Sequence, residues 1–197
     1  MSKTKRFAAV ALIILGSIAV GILLNWGWNA IDRASHPQNF RDIVSKYAER
    51  YDVPEDLILA VIKVESDFDT HAESSVGARG LMQMMPATFE WLTGEEHLGE
   101  HLSAHQLYDP EVSIRYGTYY LRYLYQKFDC NWETALAAYN GGEGNVAKWL
   151  NDREYSDTHG NLTYIPFKET RGYVQKVKDA REMYQNLYYE EKEGTVS

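Results

Sequence analysis

Cysteine is nearly missing from this sequence: Cys130 is the single thiol in 197 residues. That excludes an internal disulfide framework and any zinc site built on paired cysteines. Basic charge is also scarce. Three of the 20 basic residues, Lys3, Lys5 and Arg6, precede the first acid, Asp32, so the remaining 17 face 28 acids, a net −11 beyond residue 30. Such a body lacks the basic face with which nucleic-acid binders release counterions, and no nucleic-acid partner is expected. There is no internal repeat, no low-complexity run and no convincing stretch of alternating strand residues. What remains is 45% hydrophobic and 24% charged, the composition of a globular chain with room for about one domain.

The N-terminus carries a different signal. Residues 1–6 are positive, and residues 7–24 contain no charge. Eighteen helical residues span roughly 27 Å, about the thickness of a hydrocarbon core. A cleaved signal peptide has a shorter apolar stretch and a small-x-small site. Here Asn25-Trp26-Gly27-Trp28 follows instead, and tryptophans suit a membrane–water interface. No cysteine stands there to carry a lipid. The reading is an uncleaved single-pass anchor, residues 1–30, held in the cytoplasmic membrane through residues 7–24. Lys3, Lys5 and Arg6 stay inside and the remainder is exported.

Residues 31–38 read as a short polar linker, 39–189 as a mainly α domain, and 190–197 as a polar, frayed tail. The periodicity predicts helices over about 39–51, 54–66, 86–93, 109–128, 131–140, 143–151 and 168–189. Asp109-Pro110-Glu111 combines an N-cap, a first-turn proline and an acid at the positive end of the dipole. Asn140-Gly141-Gly142 is a helix stop.

One carboxylate falls on an apolar face. At 100° per residue, Leu57, Ala60, Val64, Val61, Ile58 and Ile62 fill one arc of 54–66, and Glu65 lies inside it, between Val61 and Ile58. A buried carboxyl is costly unless paired or protonated. Its raised pKa makes it a usable general acid near neutral pH. Alternatively, Glu65 belongs to a solvated last turn. The loop that follows, Gly77-Ala78-Arg79-Gly80-Leu81-Met82-Gln83-Met84-Met85-Pro86, has glycines that permit close backbone approach. Gln83 offers both a donor and an acceptor, while the methionines supply adaptable apolar surface. His97, His101 and His105 are four residues apart, but the His-Glu-x-x-His arrangement is absent and Gly94 and Gly99 interrupt any helix. They read as loop histidines, and no metal is expected.

In order along the chain, Glu65-Ser66, the Gly77–Pro86 loop, Asp109-Pro110-Glu111 with Gly117 and Tyr120-Leu121, Ala138-Tyr139-Asn140-Gly141-Gly142, and Ile165-Pro166 with Glu169-Thr170-Arg171-Gly172-Tyr173-Val174 resemble the catalytic domain of the family 1 lytic transglycosylases. These are of the soluble-lytic-transglycosylase (SLT) type, in the lysozyme-like superfamily. The resemblance covers about 45–185. Ser113 departs from it, since the family usually has Asn there, and the stretch 93–107 is unusually acidic and histidine-rich.

The resemblance implies a lysozyme-like fold and cleavage of the MurNAc–GlcNAc β-1,4 bond of peptidoglycan with formation of 1,6-anhydroMurNAc. Glu65 would protonate the leaving oxygen and then, as the conjugate base, accept the proton of the muramic 6-hydroxyl. The nucleophile belongs to the substrate, so one carboxylate suffices where most glycosidases need two. The resemblance also implies that Ser66 orients Glu65 or substrate, and that Met82 and Gln83 line the cleft, Gln83 on an acetamido group. Tyr139 would hold the Glu65 proton, Asn140 would contact sugar, and Glu169 and Tyr173 would close the far wall. Arg171 could pair with Glu169. Tyr139 and Tyr173 also suit plain core packing. No cofactor is implied; the expected partner is the glycan strand, and protein partners are left unspecified. Two other readings remain open. One is a lysozyme-type hydrolase with Asp67, Asp69 or Glu73 as second carboxylate. The other is a non-catalytic wall-binding module.

Overall fold

The computed structural model describes residues 3–159 and 161–189, apart from the side chains of 3–13, 25 and 29. The expected polar tail, 190–197, lies outside the described residues. The chain divides between Pro37 and Gln38 into two units.

The first unit is one helix, α1 (Lys3–Ser35), of 33 residues, or about 50 Å. It runs through the stretch expected as a linker as far as Ser35, whose hydroxyl donates to the Asp32 carbonyl at 2.9 Å. The described part from Ile14 is long and apolar enough to cross a membrane. Trp26 and Trp28 stand exposed on it.

The second unit is built from α2 (Arg41–Tyr51), α3 (Glu55–Ser66), α4 (Pro86–Thr93), α5 (Pro110–Lys127), α6 (Trp132–Gly141), α7 (Glu143–Leu150) and α8 (Lys168–Tyr184). A 3-10 turn, Ala104–Tyr108, precedes α5, and a π turn, Gln185–Tyr189, follows α8, where the sequence predicts unbroken helix to 189. Among the described residues β pairing is limited to isolated bridges, two of them in the loop after α3. The starts of α5 and α6 follow from their caps: the Asp109 carboxylate accepts the N–H groups of Glu111 and Val112, and Asn131 accepts that of Thr134.

α3 is the centre of the domain. Leu57, Ile58, Leu59, Ala60, Val61 and Ile62 are all 0% exposed, so this helix is buried on every side rather than along one stripe. α8 packs along it and α2 beside it, while α5 and α6 pack on each other and on those neighbours. Each fully buried Leu or Ile contributes roughly 1.5–3 kcal/mol, so the helix that carries Glu65 near its end is firmly held.

Candidate active site

Glu65 is the penultimate residue of α3. The helix is closed rather than frayed there. Asp67 turns into the left-handed region (φ 51°) and its N–H donates to the Lys63 carbonyl at 3.1 Å. Val64, Glu65 and Ser66 are all half-buried. Burial raises the Glu65 carboxyl from an ordinary 4.5 to about 7, and the Tyr173 hydroxyl opposes this with a smaller downward pull.

Tyr173 reaches Glu65 because α8 runs antiparallel to α3. Arg181 Nε donates to Asp56 Oδ2 at 2.8 Å, at the start of α3. Eight residues back along α8 and nine forward along α3 are similar axial distances, about 12–14 Å. Tyr173 is 7% exposed. Its hydroxyl acts on Glu65 yet completes no hydrogen bond of good geometry among the described residues. Burial pushes its phenol well above the ordinary value, and the Glu65 charge adds to the shift.

Four of the expected roles are redrawn by the geometry. Tyr139 does not bond to Glu65; its hydroxyl donates to the Met82 carbonyl at 2.8 Å, although its phenol still feels the Glu65 charge. Ser66 does not orient Glu65 either. Its one proton is directed at the carbonyls of Leu81, 2.8 Å, and Ile62, 3.2 Å, so it fastens the loop to the end of α3. The Met82 side chain is 0% exposed and packs on Gly117, where an added Cβ would come within 2.3 Å of its sulfur. The Met82 side chain therefore packs in the core and does not reach the groove surface. Gln83 sits at φ 45°, a left-handed conformation costing a non-glycine residue on the order of 1 kcal/mol. Its Nε2 donates to the carbonyls of Ala72 and Gly80, each at 3.0 Å. Both amide protons are engaged within the loop, which leaves Oε1 as an acceptor only.

Two residues whose contacts the sequence does not disclose complete the loop. Ser113, 1% exposed, accepts the Met82 N–H on its hydroxyl at 3.2 Å. Its departure from the family pattern is thus a polar anchor for the loop. Gly80 (φ 74°) lies so close to the Leu107 carbonyl that a Cβ would come within 1.9 Å of the oxygen. The signal for Ser113 in the sequence was a small polar residue at a buried helical position.

Asn140, Glu169 and Tyr173 do come together, in one open groove next to Val64 that Lys168 and Lys176 also line. Asn140 and Glu169 are exposed within it. A smaller cavity, between Asn131, Leu162, Arg171 and Lys178, shares no lining residue with this groove. Arg171 turns away from Glu169: Nη1 donates to the Ile165 carbonyl at 2.5 Å and the guanidinium lies over the Tyr164 ring. The candidate second carboxylates are engaged elsewhere. Asp67 pairs with Lys63 at 2.5 Å, and Asp69 accepts the His71 N–H at 2.9 Å. Glu73 accepts from Tyr108 at 2.7 Å and pairs with Arg79. The three histidines share no ridge. His97 is wedged half-buried against Trp91, Tyr119 and Tyr123, His101 pairs with Glu95, and His105 lies edge-on to Tyr108.

A buried carboxyl at a helix end, backed by two tyrosines and a glycine-fixed loop, sits in a fold seen in solved lytic transglycosylases. The 70 kDa soluble lytic transglycosylase of Escherichia coli superposes with a TM-score of 0.73 at 34% identity, over 81% of this chain and 26% of that one. A 70 kDa soluble lytic transglycosylase in complex with bulgecin A superposes equally well, with a TM-score of 0.73 at 34% identity. An inactive Glu-to-Gln mutant of the lytic transglycosylase Slt from Pseudomonas aeruginosa superposes at 0.69 and 35% identity, over 79% of this chain and 25% of that one. In class, this is a mainly helical, lysozyme-like transglycosylase fold. Residues 42–161 match the family described as the transglycosylase SLT domain, and the chain belongs to that family. Among curated relatives, the soluble lytic murein transglycosylase of E. coli K12 is 39% identical over 142 residues, 72% of this chain and 22% of that protein. The membrane-bound lytic murein transglycosylase C of Edwardsiella ictaluri is 32% identical over 180 residues, 81% of this chain and 49% of that protein. The chain thus spans between about a fifth and a half of the length of these relatives.

Proposed function

We propose that the chain is a membrane-anchored peptidoglycan lytic transglycosylase that cleaves the MurNAc–GlcNAc β-1,4 bond and leaves a 1,6-anhydroMurNAc end. The observation that carries this reading is the Glu65 carboxyl, buried at the end of α3 and raised to about 7. A group with that pKa is protonated often enough at neutral pH to give its proton to the glycosidic oxygen. It is then basic enough to take one from the muramic 6-hydroxyl. An intramolecular hydroxyl needs no positioned water and no second carboxylate, and Asp67, Asp69 and Glu73 are each engaged elsewhere.

In this reading Gln83 Oε1 accepts from a substrate N–H, such as that of an acetamido group, while Asn140, Glu169 and Tyr173 line the wall beyond Glu65. Ser66, Ser113 and Tyr139 hold the Leu81–Met82 backbone in place. The first unit is a single-pass anchor: α1 is apolar over a membrane's thickness, the only charges before Asp32 are basic, and relatives named as membrane-bound are among the matches. The positive-inside rule then puts the domain on the extracytoplasmic side, where peptidoglycan is. The test is mass spectrometry of fragments released from purified peptidoglycan by the full chain in detergent. Muropeptides lighter by one water, lost with Glu65→Gln, are expected. Reducing muramic ends would reassign the nucleophile to water.

A further inference from the structure

A cavity on the face of α8 turned away from Tyr173 takes no part in the chemistry at Glu65. At 100° per residue, Arg171, Val174, Gln175 and Lys178 share one face of α8, whereas Glu169, Gly172, Tyr173 and Lys176 lie on a face roughly 150° away. The first set lines the cavity and the second lines the groove beside Glu65. The cavity measures about 190 Å³. That is below the roughly 300–1,000 Å³ of a site for a drug-sized ligand, so it admits one small ring and not a length of polymer.

Its charges are mostly occupied within the protein. Lys178 pairs with Glu133, and Arg171 donates to the Ile165 carbonyl and lies over the Tyr164 ring. What the lining still offers is neutral. Asn131 uses its Oδ1 to cap α6, and Gln175 uses its Nε2 on Asp179 at 2.7 Å. The Asn131 amide protons and the Gln175 Oε1 are thereby left for another partner. The hydroxyls of Thr134 and Thr163 make no hydrogen bond among the described residues. Thr134 is 4% exposed, and a buried hydroxyl left unpaired is uncommon unless water or a ligand completes it. Donors and acceptors thus meet at one small cavity, with the exposed Tyr164 beside them. A carboxylate or phosphate calls for donors alone; the hydroxyl and acetamido groups of a sugar call for both.

We propose that this cavity is a second carbohydrate site, which holds one N-acetylhexosamine unit of a glycan strand other than the strand in the groove beside Glu65. The inference rests on the reading of the chain as a peptidoglycan enzyme and adds a means of holding the wall while a neighbouring strand is cut. Asn131 Nδ2 and Gln175 Oε1 match the C=O and N–H of an acetamido group, the two threonines match ring hydroxyls, and Tyr164 supplies apolar surface. A second weak contact raises the effective concentration of a wall-bound substrate. It therefore acts on insoluble wall and not on short soluble strands, which fill the groove alone.

The test uses the full chain carrying Glu65→Gln in detergent micelles, with N-acetylglucosamine as the probe and NMR of threonine methyls and side-chain amides as the readout. Saturable shifts at Thr134, Thr163, Asn131 and Gln175 are expected, with a Kd on the order of 1 mM, the scale for so few atoms. Thr134→Val and Gln175→Ala should each weaken this binding about fivefold, the loss of one hydrogen bond. Gln175 is exposed, so its removal leaves the core untouched. With Glu65 in place, both substitutions should slow solubilisation of intact sacculi by roughly twofold or more and leave kcat/KM on short soluble strands unchanged. Shifts confined to the groove residues, or an equal loss on sacculi and soluble strands, would overturn the inference. Reducing-end products from the unmutated chain would instead overturn the lyase reading, and the sugar titration of the cavity would still stand.

Discussion

The Tyr139 hydroxyl donates to the main-chain carbonyl of Met82 at 2.8 Å, and not to the Glu65 carboxyl that lies nearby. The two tyrosines around the site therefore do different work. Tyr139 holds the loop that faces Glu65, whereas Tyr173 acts on the carboxyl itself.

Tyr139→Phe should leave a buried carbonyl short of its partner and lower stability by about 1–2 kcal/mol. Denaturant titration would show this as a lower midpoint at unchanged m. The pH dependence of kcat/KM should keep its alkaline limb near 7, because no hydrogen bond to Glu65 is removed. A displaced limb would show that Tyr139 bonds to Glu65 during turnover.

Tyr173→Phe should do the opposite. Its hydroxyl lowers the Glu65 pKa, so its loss should move the alkaline limb of kcat/KM to higher pH. An unmoved limb would assign Tyr173 to packing alone.

Glu65→Gln should abolish turnover and also change stability in a pH-dependent way. The folded pKa, about 7, lies above the ordinary 4.5. The contribution of Glu65 to stability is therefore intact below about pH 4.5 and lost as pH rises through 7, where a buried carboxylate must be carried. The Gln variant should match the wild type near pH 4 and exceed it at pH 8, on the order of 1–3 kcal/mol. Thermal melts at the two pH values check this; an equal difference at both would contradict the burial argument.

Gly117→Ala should destabilise by about 1–3 kcal/mol through overpacking, since its Cβ would come within 2.3 Å of the Met82 sulfur. Activity should fall further than stability accounts for, because a displaced Met82 would disturb the backbone that Ser113 and Tyr139 hold. A variant with normal melting and normal turnover would show that the Met82 position is not constrained.

The helices of the second unit were legible in the sequence because their ends are chemically marked. Asp109-Pro110 opens α5 at the expected place, Asn131 caps α6, and Pro86 starts α4. Glu65 was legible because an acid within an apolar arc is rare, and its burial follows from how deeply α3 is enclosed. The directions of Ser66, Met82, Gln83 and Tyr139 were not legible. Each depends on contacts far away in sequence: Ser66 on Leu81, Met82 on Gly117 and Ser113, Gln83 on Ala72, Tyr139 on Met82. Residue type shows what a side chain can donate or accept; only packing decides which partner it meets.

Acid catalysis at neutral pH requires that Glu65 hold its proton there. A carbon-detected NMR titration of the full chain in micelles, with the glutamate carboxyl carbons labelled and Glu65 assigned by comparison with Glu65→Gln, measures this directly. A midpoint near 7 is the predicted result. A midpoint near 4.5, the ordinary value for a solvated carboxylate, would show that the end of α3 is open to water and would remove Glu65 as the acid at neutral pH.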